Sequence, residues 1–190
     1  MTVLRRARGV GGPQEDGGVS TTYTVVPAPF GPVTVGVADG AVTDVRFPHA
    51  DGSPSTERMG RRVDPDDDPL LREAARQLAA YLAGARREFD LPLRYRGSVF
   101  RQRVWEGLRT VPYGTTTTYG ALATAIGLDP RTAARAVGAA NGANHLPIVV
   151  PCHRVIGADG TLTGFSGGLE RKRVLLALEA RVATGAGTLF

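Results

Sequence analysis

The 190-residue sequence predicts an α+β fold, with a small N-terminal α/β domain of strands and one helix followed by a mostly helical C-terminal domain. Residues 21–47 form a strand-rich stretch around a hairpin signal, whereas apolar residues recur at helical spacing in the helix predicted from residue 69. The predicted domains are residues 21–95 and 96–190. We expect residues 1–20 to form a disordered extension, because they are rich in Gly, Arg and polar residues and show no periodicity.

An antiparallel, hairpin-rich sheet and one helix are predicted for the N-terminal domain. Three strands are predicted, at Tyr23–Val26, Val33–Val37 and Val42–Phe47. Asp39-Gly40 is a strong signal for a hairpin turn, and residues 48–66 are predicted to form a loop because they carry Pro, Ser, Gly and charges. The helix is predicted to begin at Asp68-Pro69, a capping residue followed by proline, and to stop at Gly84.

The C-terminal domain follows a predicted linker at residues 90–97. Ser98 is a candidate cap for its first helix, whose apolar stripe includes Phe100, Val104 and Leu108. Later helices are predicted over residues 119–126, from residue 129 onward, and from residue 168 onward. The sequence therefore predicts several short helices in this half.

Two of these predicted helices have the pattern of a helix-turn-helix. The first covers Tyr119–Ile126, with Thr118 as its cap. Its inward-facing residues are predicted to be Leu122, Ala125 and Ile126. The second helix begins at Asp129-Pro130, a capping residue followed by proline, after a turn that contains Gly127.

The second of these helices is rich in alanine, and small side chains allow a helix to approach another surface closely. Arg131 and Arg135 are four positions apart and share one face. This pattern fits either a DNA-binding unit or an ordinary pair of helices in an enzyme. The net charge of +5 suits a polyanionic partner, but it suits an ordinary soluble basic protein equally well. No apolar run approaches the roughly 18 residues of a membrane span, so no membrane partner is expected.

Cys152 is the single cysteine of the chain, which excludes an internal disulfide and a multi-cysteine zinc site, and fits a reducing, cytoplasmic setting. A lone cysteine is by default a small buried hydrophobe. Here, however, the apolar run Ile148–Val150, predicted as a buried strand or extended segment, leads directly into Cys152, His153 and Arg154. We expect the two basic neighbours to lower the thiol pKa and so raise the fraction of nucleophilic thiolate.

The relation between Cys152 and His153 is left open by their spacing. Neighbours in an extended chain point to opposite faces, so direct contact requires a turn, and the alternatives are a bridging water or a purely structural hydrogen bond of the imidazole. Glu179 falls within the apolar face of the last predicted helix. A carboxylate there is costly unless paired, and His153 is the expected partner; otherwise Glu179 lies at the rim and reaches water. Paired, these residues follow the logic of nucleophile, base and orienting acid.

The segment Pro151-Cys152-His153-Arg154-Val155-Ile156 resembles the active-site motif of the O6-alkylguanine-DNA alkyltransferases. Other segments resemble the same family: Val111–Gly114 with Thr118-Tyr119, Ala133–Gly138, Asn144 with Pro147, and Ser166–Leu169 with the final helix. The resemblance is dense from residue 98 to residue 180 and looser over residues 20–95. It implies a winged-helix-like C-terminal domain and transfer of the alkyl group from O6-alkylguanine in double-stranded DNA to Cys152.

The resemblance also implies roles for the residues around the acceptor. His153 acts as base through a water, Glu179 orients His153, Asn144 stabilises the turn that carries Cys152, and Tyr119 pushes on a phosphate and donates a proton to the departing guanine. The guanine pocket is implied to contain Pro147, Val155, Gly157, Phe165, Ser166 and Gly167. Phe165 stands where many relatives have tyrosine, so a hydroxyl that could help to hold guanine is missing.

DNA binding is implied to use the helix-turn-helix in the minor groove, with Arg135 filling the gap left by a flipped nucleotide. The DNA-binding residues are implied to be Tyr119, Arg131, Ala134, Arg135 and Gly138. A thioether is not hydrolysed, so each molecule is expected to react once, as a free monomer that could cluster cooperatively on DNA, without a metal or organic cofactor. Activity on O4-alkylthymine is left open.

Three other functions stay open at this point. A non-enzymatic sensor of DNA lesions with the same fold would lack the acceptor, whereas Cys152 is present. A cysteine hydrolase of another class would leave the helix-turn-helix and Arg135 without a role. In a plain DNA-binding regulator, the Cys152-His153-Arg154 cluster would be incidental.

Overall fold

A four-stranded sheet begins the fold in the computed structural model, which describes residues 21–185; the segment predicted to be disordered, residues 1–20, lies outside the described residues. The strands are β1 (Thr22–Val26), β2 (Val33–Ala38), β3 (Ala41–Arg46) and β4 (Arg61–Arg62). Their order is β3-β2-β1-β4, with β4 parallel to β1 and the other pairs antiparallel. The three predicted strands are thus confirmed, and the sheet is mixed because of β4.

The predicted hairpin turn joins β2 to β3. Asp39 and Gly40 both have positive φ, 47° and 70°, which is the geometry that a two-residue turn with the twist of a sheet requires. The loop predicted over residues 48–66 is only partly correct, since β4 and the start of a 3₁₀ turn at Pro65–Asp67 fall within it. A two-residue strand has no periodicity, so the sequence offers no signal for it.

Helix α1 (Pro69–Leu82) packs against the sheet and completes the N-terminal core. Asp68 caps it as predicted, accepting hydrogen bonds from the backbone N–H groups of Leu70 and Leu71 at 3.0 and 3.1 Å. The helix buries Leu71, Ala74, Leu78 and Tyr81. Every residue of β2 is buried, so the sheet is covered on both faces.

The edge strand β3 is closed by later parts of the chain. Val42 forms backbone hydrogen bonds with Pro92 (2.8 Å) and Arg94 (3.0 Å), in the segment predicted as a linker, and Val45 N–H donates to the His145 carbonyl at 2.9 Å. These bonds satisfy groups that an open sheet edge would leave exposed. They also connect the sheet to the segment just before Cys152.

Four helices form the C-terminal part: α2 (Val99–Arg109), α3 (Tyr119–Ala125), α4 (Pro130–Gly142) and α5 (Leu169–Ala183). Ser98, Thr118 and Asp129 cap the first three of them, as predicted. Helices α3 and α4 form the predicted helix-turn-helix. The inward position predicted for Ala125 is wrong, because Ala125 is exposed and Ala123 is buried in its place. Successive helical positions differ by about 100°, and the buried face centres between Leu122 and Ala123.

A short parallel ladder ties the helix-turn-helix to the chain after the cysteine. It pairs β5 (Thr117–Thr118) with β6 (Val155–Ile156). Tyr119, the first residue of α3, therefore follows directly from a strand that is fixed beside the segment after Cys152. Within residues 21–185, no helix is long and apolar enough to cross a membrane.

Candidate active site around Cys152

A tight turn, rather than the predicted strand, delivers Cys152. The run Ile148–Val150 is buried as expected, but Ile148 has a φ of 74°, and Val150 N–H closes a turn on the Leu146 carbonyl at 2.8 Å. The prediction of a strand or extended segment is wrong, because the backbone turns here and the turn is held by the Asn144 side chain. Its amide donates to the Val150 carbonyl and its oxygen accepts from Leu146 N–H, both at 2.9 Å. Asn144 thereby joins the two ends of the turn.

Cys152 begins a 3₁₀ turn, Cys152–Arg154, and is 1% exposed. Asn141, which the sequence analysis did not single out, donates to the Cys152 carbonyl at 3.4 Å. Burial raises the pKa of the Cys152 thiol to about 11, although a hydrogen bond with Asn144 opposes this. The predicted lowering of the thiol pKa is therefore wrong, because the sulfur is buried and the Arg154 guanidinium is directed to Glu179 and Val111 instead.

His153 and Glu179 form the contact expected from the sequence. His153 Nε2 lies 2.9 Å from Glu179 Oε1, and both side chains are fully buried. Burial lowers the pKa of His153, and the carboxylate only partly offsets this, so the imidazole is neutral at neutral pH. A neutral imidazole facing a carboxylate through Nε2 carries its proton there, which leaves the lone pair on Nδ1.

The Nδ1 atom of His153 is buried and has no hydrogen-bond partner in the part of the chain that the structure describes. A buried acceptor that no other protein group occupies is rare in native proteins, and this one keeps its lone pair available to take up a proton. Because Cys152 and His153 are neighbours in one 3₁₀ turn, this acceptor stands in the same buried turn as the thiol. The arrangement has the parts that a base-assisted thiol nucleophile needs.

Several donors hold the Glu179 carboxylate. The Arg154 guanidinium binds it through Nε and Nη2, at 2.8 Å for the closest pair, and Gly114 N–H donates to Oε2 at 2.9 Å. A Cβ at Gly114 would lie 2.6 Å from the Cβ of Ala183, so glycine is needed for this approach. Burial alone would raise the pKa of Glu179, but hydrogen bonds from His153 and Arg154 outweigh it and lower the pKa to about 2.

Two further buried side chains reach this site and were missed by the sequence analysis. Tyr81, on α1, donates its hydroxyl proton to Glu179 Oε1 at 2.5 Å. Lys172, the single lysine, is 0% exposed, and its Nζ donates to the carbonyls of Val155 and Thr163 at 2.6 and 2.7 Å. Lys172 could have been predicted as a site residue, because a charged side chain at a buried position of a helix needs a partner. Tyr81 could not, because a tyrosine in an apolar stripe is ordinary.

The predicted DNA-binding residues lie on one side of the helix-turn-helix. Arg131 and Arg135 are exposed on α4, and Ala134 and Gly138 are partly exposed on the same helix. Tyr119 OH donates to the Thr163 carbonyl at 3.3 Å, so the start of α3 touches the loop that precedes α5. These side chains present both positive charge and a small-residue surface to solvent.

The residues predicted for the guanine pocket are spread over three segments of the chain, at residues 147, 155–157 and 165–167. Pro147 and Ser166 line a cavity of about 510 Å³ together with Asn144 and Phe47 of the N-terminal part. Phe165 packs edge-on against Phe47, with ring centroids 5.5 Å apart, and Gly167 is buried beside them. Val155 is fully buried, which places its side chain in the core, and Gly157 lies at a turn beside Asp159 and Thr161.

Residues 21–185 contain no group of three or more His, Cys, Asp or Glu side chains that could hold a metal ion.

Comparison with known proteins identifies the family to which the chain belongs. The model of the 6-O-methylguanine DNA methyltransferase ribonuclease-like domain matches residues 21–95, and that of its DNA binding domain matches residues 99–181. The chain belongs to the 6-O-methylguanine DNA methyltransferase family.

Members of the 6-O-methylguanine DNA methyltransferase family resemble this chain over nearly their whole length. The methylated-DNA–protein-cysteine methyltransferase of Mycolicibacterium paratuberculosis is 48% identical over 168 residues, which cover 88% of this chain and 98% of that protein. The constitutive enzyme of that name from Bacillus subtilis is 40% identical over 83% of this chain and 94% of its own length. A crystal structure of Mycobacterium tuberculosis OGT in complex with DNA matches with a TM-score of 0.74 and 44% identity, over 85% of this chain and 94% of that one.

Proposed function

We propose that this protein repairs DNA by transferring the alkyl group of O6-alkylguanine to the sulfur of Cys152, in one irreversible step per molecule. The observation that carries the proposal is the buried turn in which Cys152 stands next to a neutral His153. Its Nε2 is held by Glu179, and its Nδ1 has no hydrogen-bond partner among residues 21–185. Family membership and the DNA complex of the M. tuberculosis relative support DNA as the partner. The requirement for a damaged guanine is part of the proposal.

The acceptor must lose a proton before or during attack, since burial keeps its thiol protonated at neutral pH. In the proposed reaction, the Cys152 thiol proton passes through a water to His153 Nδ1. The sulfur forms a bond to the alkyl carbon as the bond from that carbon to O6 breaks. Guanine leaves with the electron pair and takes a proton from Tyr119, which recovers one from the imidazolium through solvent.

The remaining residues of the site support this transfer indirectly. Glu179 is ionised and stabilises the imidazolium that forms on His153, and Arg154 and Gly114 keep the carboxylate in place. Asn144 holds the turn that presents the sulfur. No step requires a metal or an organic cofactor, and the thioether product explains why the protein is consumed.

DNA binding by α3 and α4 would bring the lesion to this buried sulfur. The alkylated oxygen lies inside the duplex, so the nucleotide must leave the base stack at a cost of a few kcal/mol. We propose that Arg135 fills the vacated space, that Tyr119 contacts the neighbouring phosphate, and that Arg131, Ala134 and Gly138 follow the groove. The extruded guanine would enter between the Pro147 turn and the loop that carries Phe165, Ser166 and Gly167.

We further propose that the free protein is a monomer, and that it acts in the reducing cytoplasm, where its single thiol stays unoxidised. Binding made mostly to phosphates would show little sequence preference and a strong dependence on salt. Whether several molecules cluster on one duplex then depends on contacts between neighbours on the DNA.

Mass spectrometry of the intact protein tests the proposal. After incubation with a duplex that contains O6-methylguanine, the protein should gain the mass of one methyl group in place of the thiol proton, and the gain should map to the peptide with Cys152. The Cys152→Ala variant and a duplex with normal guanine are the controls, and neither should change mass. Tight DNA binding without a mass change would show a lesion sensor or a regulator instead.

A further inference from the structure

We propose that Tyr81 is a positioning residue for alkyl transfer: its hydroxyl, supplied by helix α1 of the N-terminal part, holds Glu179 in the orientation that keeps His153 ready to accept a proton. The inference rests on the function proposed above and adds a residue to it. It also makes the N-terminal part of the chain a component of the reaction rather than a support for the C-terminal part.

Among residues 21–185, the Tyr81 hydroxyl forms hydrogen bonds only with His153 and Glu179, the pair proposed to act on the thiol. Tyr81 is 0% exposed, its hydroxyl donates to Glu179 Oε1 at 2.5 Å, and the same oxygen lies 3.3 Å from His153 Nε2. The hydroxyl therefore stands at the junction where the imidazole meets the carboxylate.

The direction of the hydrogen bonds at this junction follows from charge. Glu179 is ionised, so its Oε1 accepts both the Tyr81 proton and the Nε2 proton of His153. Arg154 Nη2 donates to the same oxygen, and Gly114 N–H donates to Oε2. With Tyr81 in place, the carboxylate cannot rotate away from the imidazole without losing a charge-assisted hydrogen bond in a site that excludes water.

Packing alone does not explain a tyrosine at this position. The other buried members of the α1 stripe include Leu71, Ala74 and Leu78, and the Tyr81 ring packs at 5.2 Å from Phe89 and 5.9 Å from Tyr113. A phenylalanine would make the same ring contacts. Burying a hydroxyl costs free energy unless it forms a hydrogen bond. The hydrogen bond to Glu179 therefore explains why this position carries a tyrosine.

The hydroxyl also affects the charge that His153 experiences. Burial and the Glu179 carboxylate hold the pKa of Tyr81 well above 10.0, so its hydroxyl remains protonated and a donor at neutral pH. Its proton stabilises part of the carboxylate charge. Without it, Glu179 would attract the imidazolium form more strongly, and the pKa of His153 would rise.

The Tyr81→Phe variant tests the proposal, because it removes one oxygen and keeps the ring. We expect single-turnover methyl transfer at saturating DNA to slow about tenfold at neutral pH, which corresponds to ~1.4 kcal/mol of barrier. The acid limb of the pH–rate profile should move to higher pH by about half a unit or more, because the base is protonated earlier. DNA affinity should stay at the wild-type value.

Tyr113→Phe is the matched control, since Tyr113 belongs to the same aromatic cluster and its buried hydroxyl has no hydrogen-bond partner among residues 21–185. This variant should react at the wild-type rate with an unshifted profile. The proposal is overturned if Tyr81→Phe keeps the wild-type rate and acid limb, or if it slows no more than Tyr113→Phe. Those results leave the proposed function intact, whereas a wild-type protein that transfers no methyl group overturns both.

Discussion

Glu179 connects residues from distant parts of the chain at the scale of single side chains. Its carboxylate binds His153 and Arg154, which lie 26 and 25 positions earlier, and Tyr81, which lies 98 positions earlier. Because the pKa of Glu179 is lowered to about 2, the group stays charged and all of these donors remain bound at neutral pH. The site is therefore organised around one buried anion.

Removing this anion should destabilise the protein strongly. Glu179→Gln should lower the free energy of unfolding by about 3–5 kcal/mol, because Arg154 keeps a buried charge without a carboxylate. Glu170→Gln, on the same helix but at an exposed pair with Arg173, is the control and should leave the unfolding midpoint nearly unchanged. Urea denaturation measures both, and equal midpoints for the two variants would contradict this role of Glu179.

The contribution of Glu179 to stability should also depend on pH in the acid range. The pKa of Glu179 is about 2 in the folded protein and 4.5 in its ordinary state, so the unfolded chain takes up the proton first as pH falls. The stabilisation of the fold by ionised Glu179 is thus fully present above pH 4.5 and is lost as the pH falls from about 4.5 to about 2. Urea midpoints measured across this range should fall less steeply for Glu179→Gln than for the wild type. Parallel slopes for the two proteins would show that Glu179 is not ionised as described.

Single residues differed in how well the sequence predicted them. Glu179 was predictable because a carboxylate inside an apolar stripe needs a partner, and His153 was available. Lys172 carried the same kind of signal on the same helix. The thiol pKa of Cys152 was predicted with the wrong sign, since sequence shows that Arg154 is adjacent but not that its guanidinium is directed at Glu179 and Val111.

At the scale of elements, local chemistry made most boundaries predictable. Asp68, Ser98, Thr118 and Asp129 cap helices where expected, because a capping side chain acts within three residues of itself. The turn at residues 144–150 was not predictable from apolar character, since burial is common to strands and turns. Its form depends on the two side-chain hydrogen bonds of Asn144.

Helix α4 yields a prediction about the flipped nucleotide. Arg135 is exposed on this helix, and we expect Arg135→Ala to slow methyl transfer from duplex DNA by roughly tenfold, since an inserted side chain offsets part of the unstacking cost. Transfer from the same lesion in a single strand, where little stacking is lost, should hardly change. Arg173→Ala, which removes an exposed charge from α5, is the control. Equal slowing on duplex and single strand would contradict the inserted role of Arg135.

At the scale of the whole molecule, the two parts of the chain share contacts that no local pattern predicts. Tyr81 reaches Glu179, Phe47 packs on Phe165, and Val45 binds the His145 backbone. Element order and the likeness of residues 98–180 to a known family were visible in the sequence. The interface was not, because it depends on how separately predicted elements pack across long separations.

These contacts predict that the two parts unfold together. Fluorescence of Trp105, the single tryptophan, reports on the C-terminal part, whereas far-ultraviolet circular dichroism reports on both. The two urea transitions should coincide in midpoint and slope, as for one cooperative unit. An early dichroism transition that leaves Trp105 fluorescence unchanged would show that the sheet and α1 unfold independently.

The most direct test of the account is the amount of alkyl group that each molecule accepts. With an excess of duplex containing O6-methylguanine, the transferred methyl should reach one equivalent per protein and then stop, and peptide mapping should find all of it on Cys152. Transfer that continues beyond one equivalent, or a methyl group on any other residue, would contradict irreversible transfer to this cysteine.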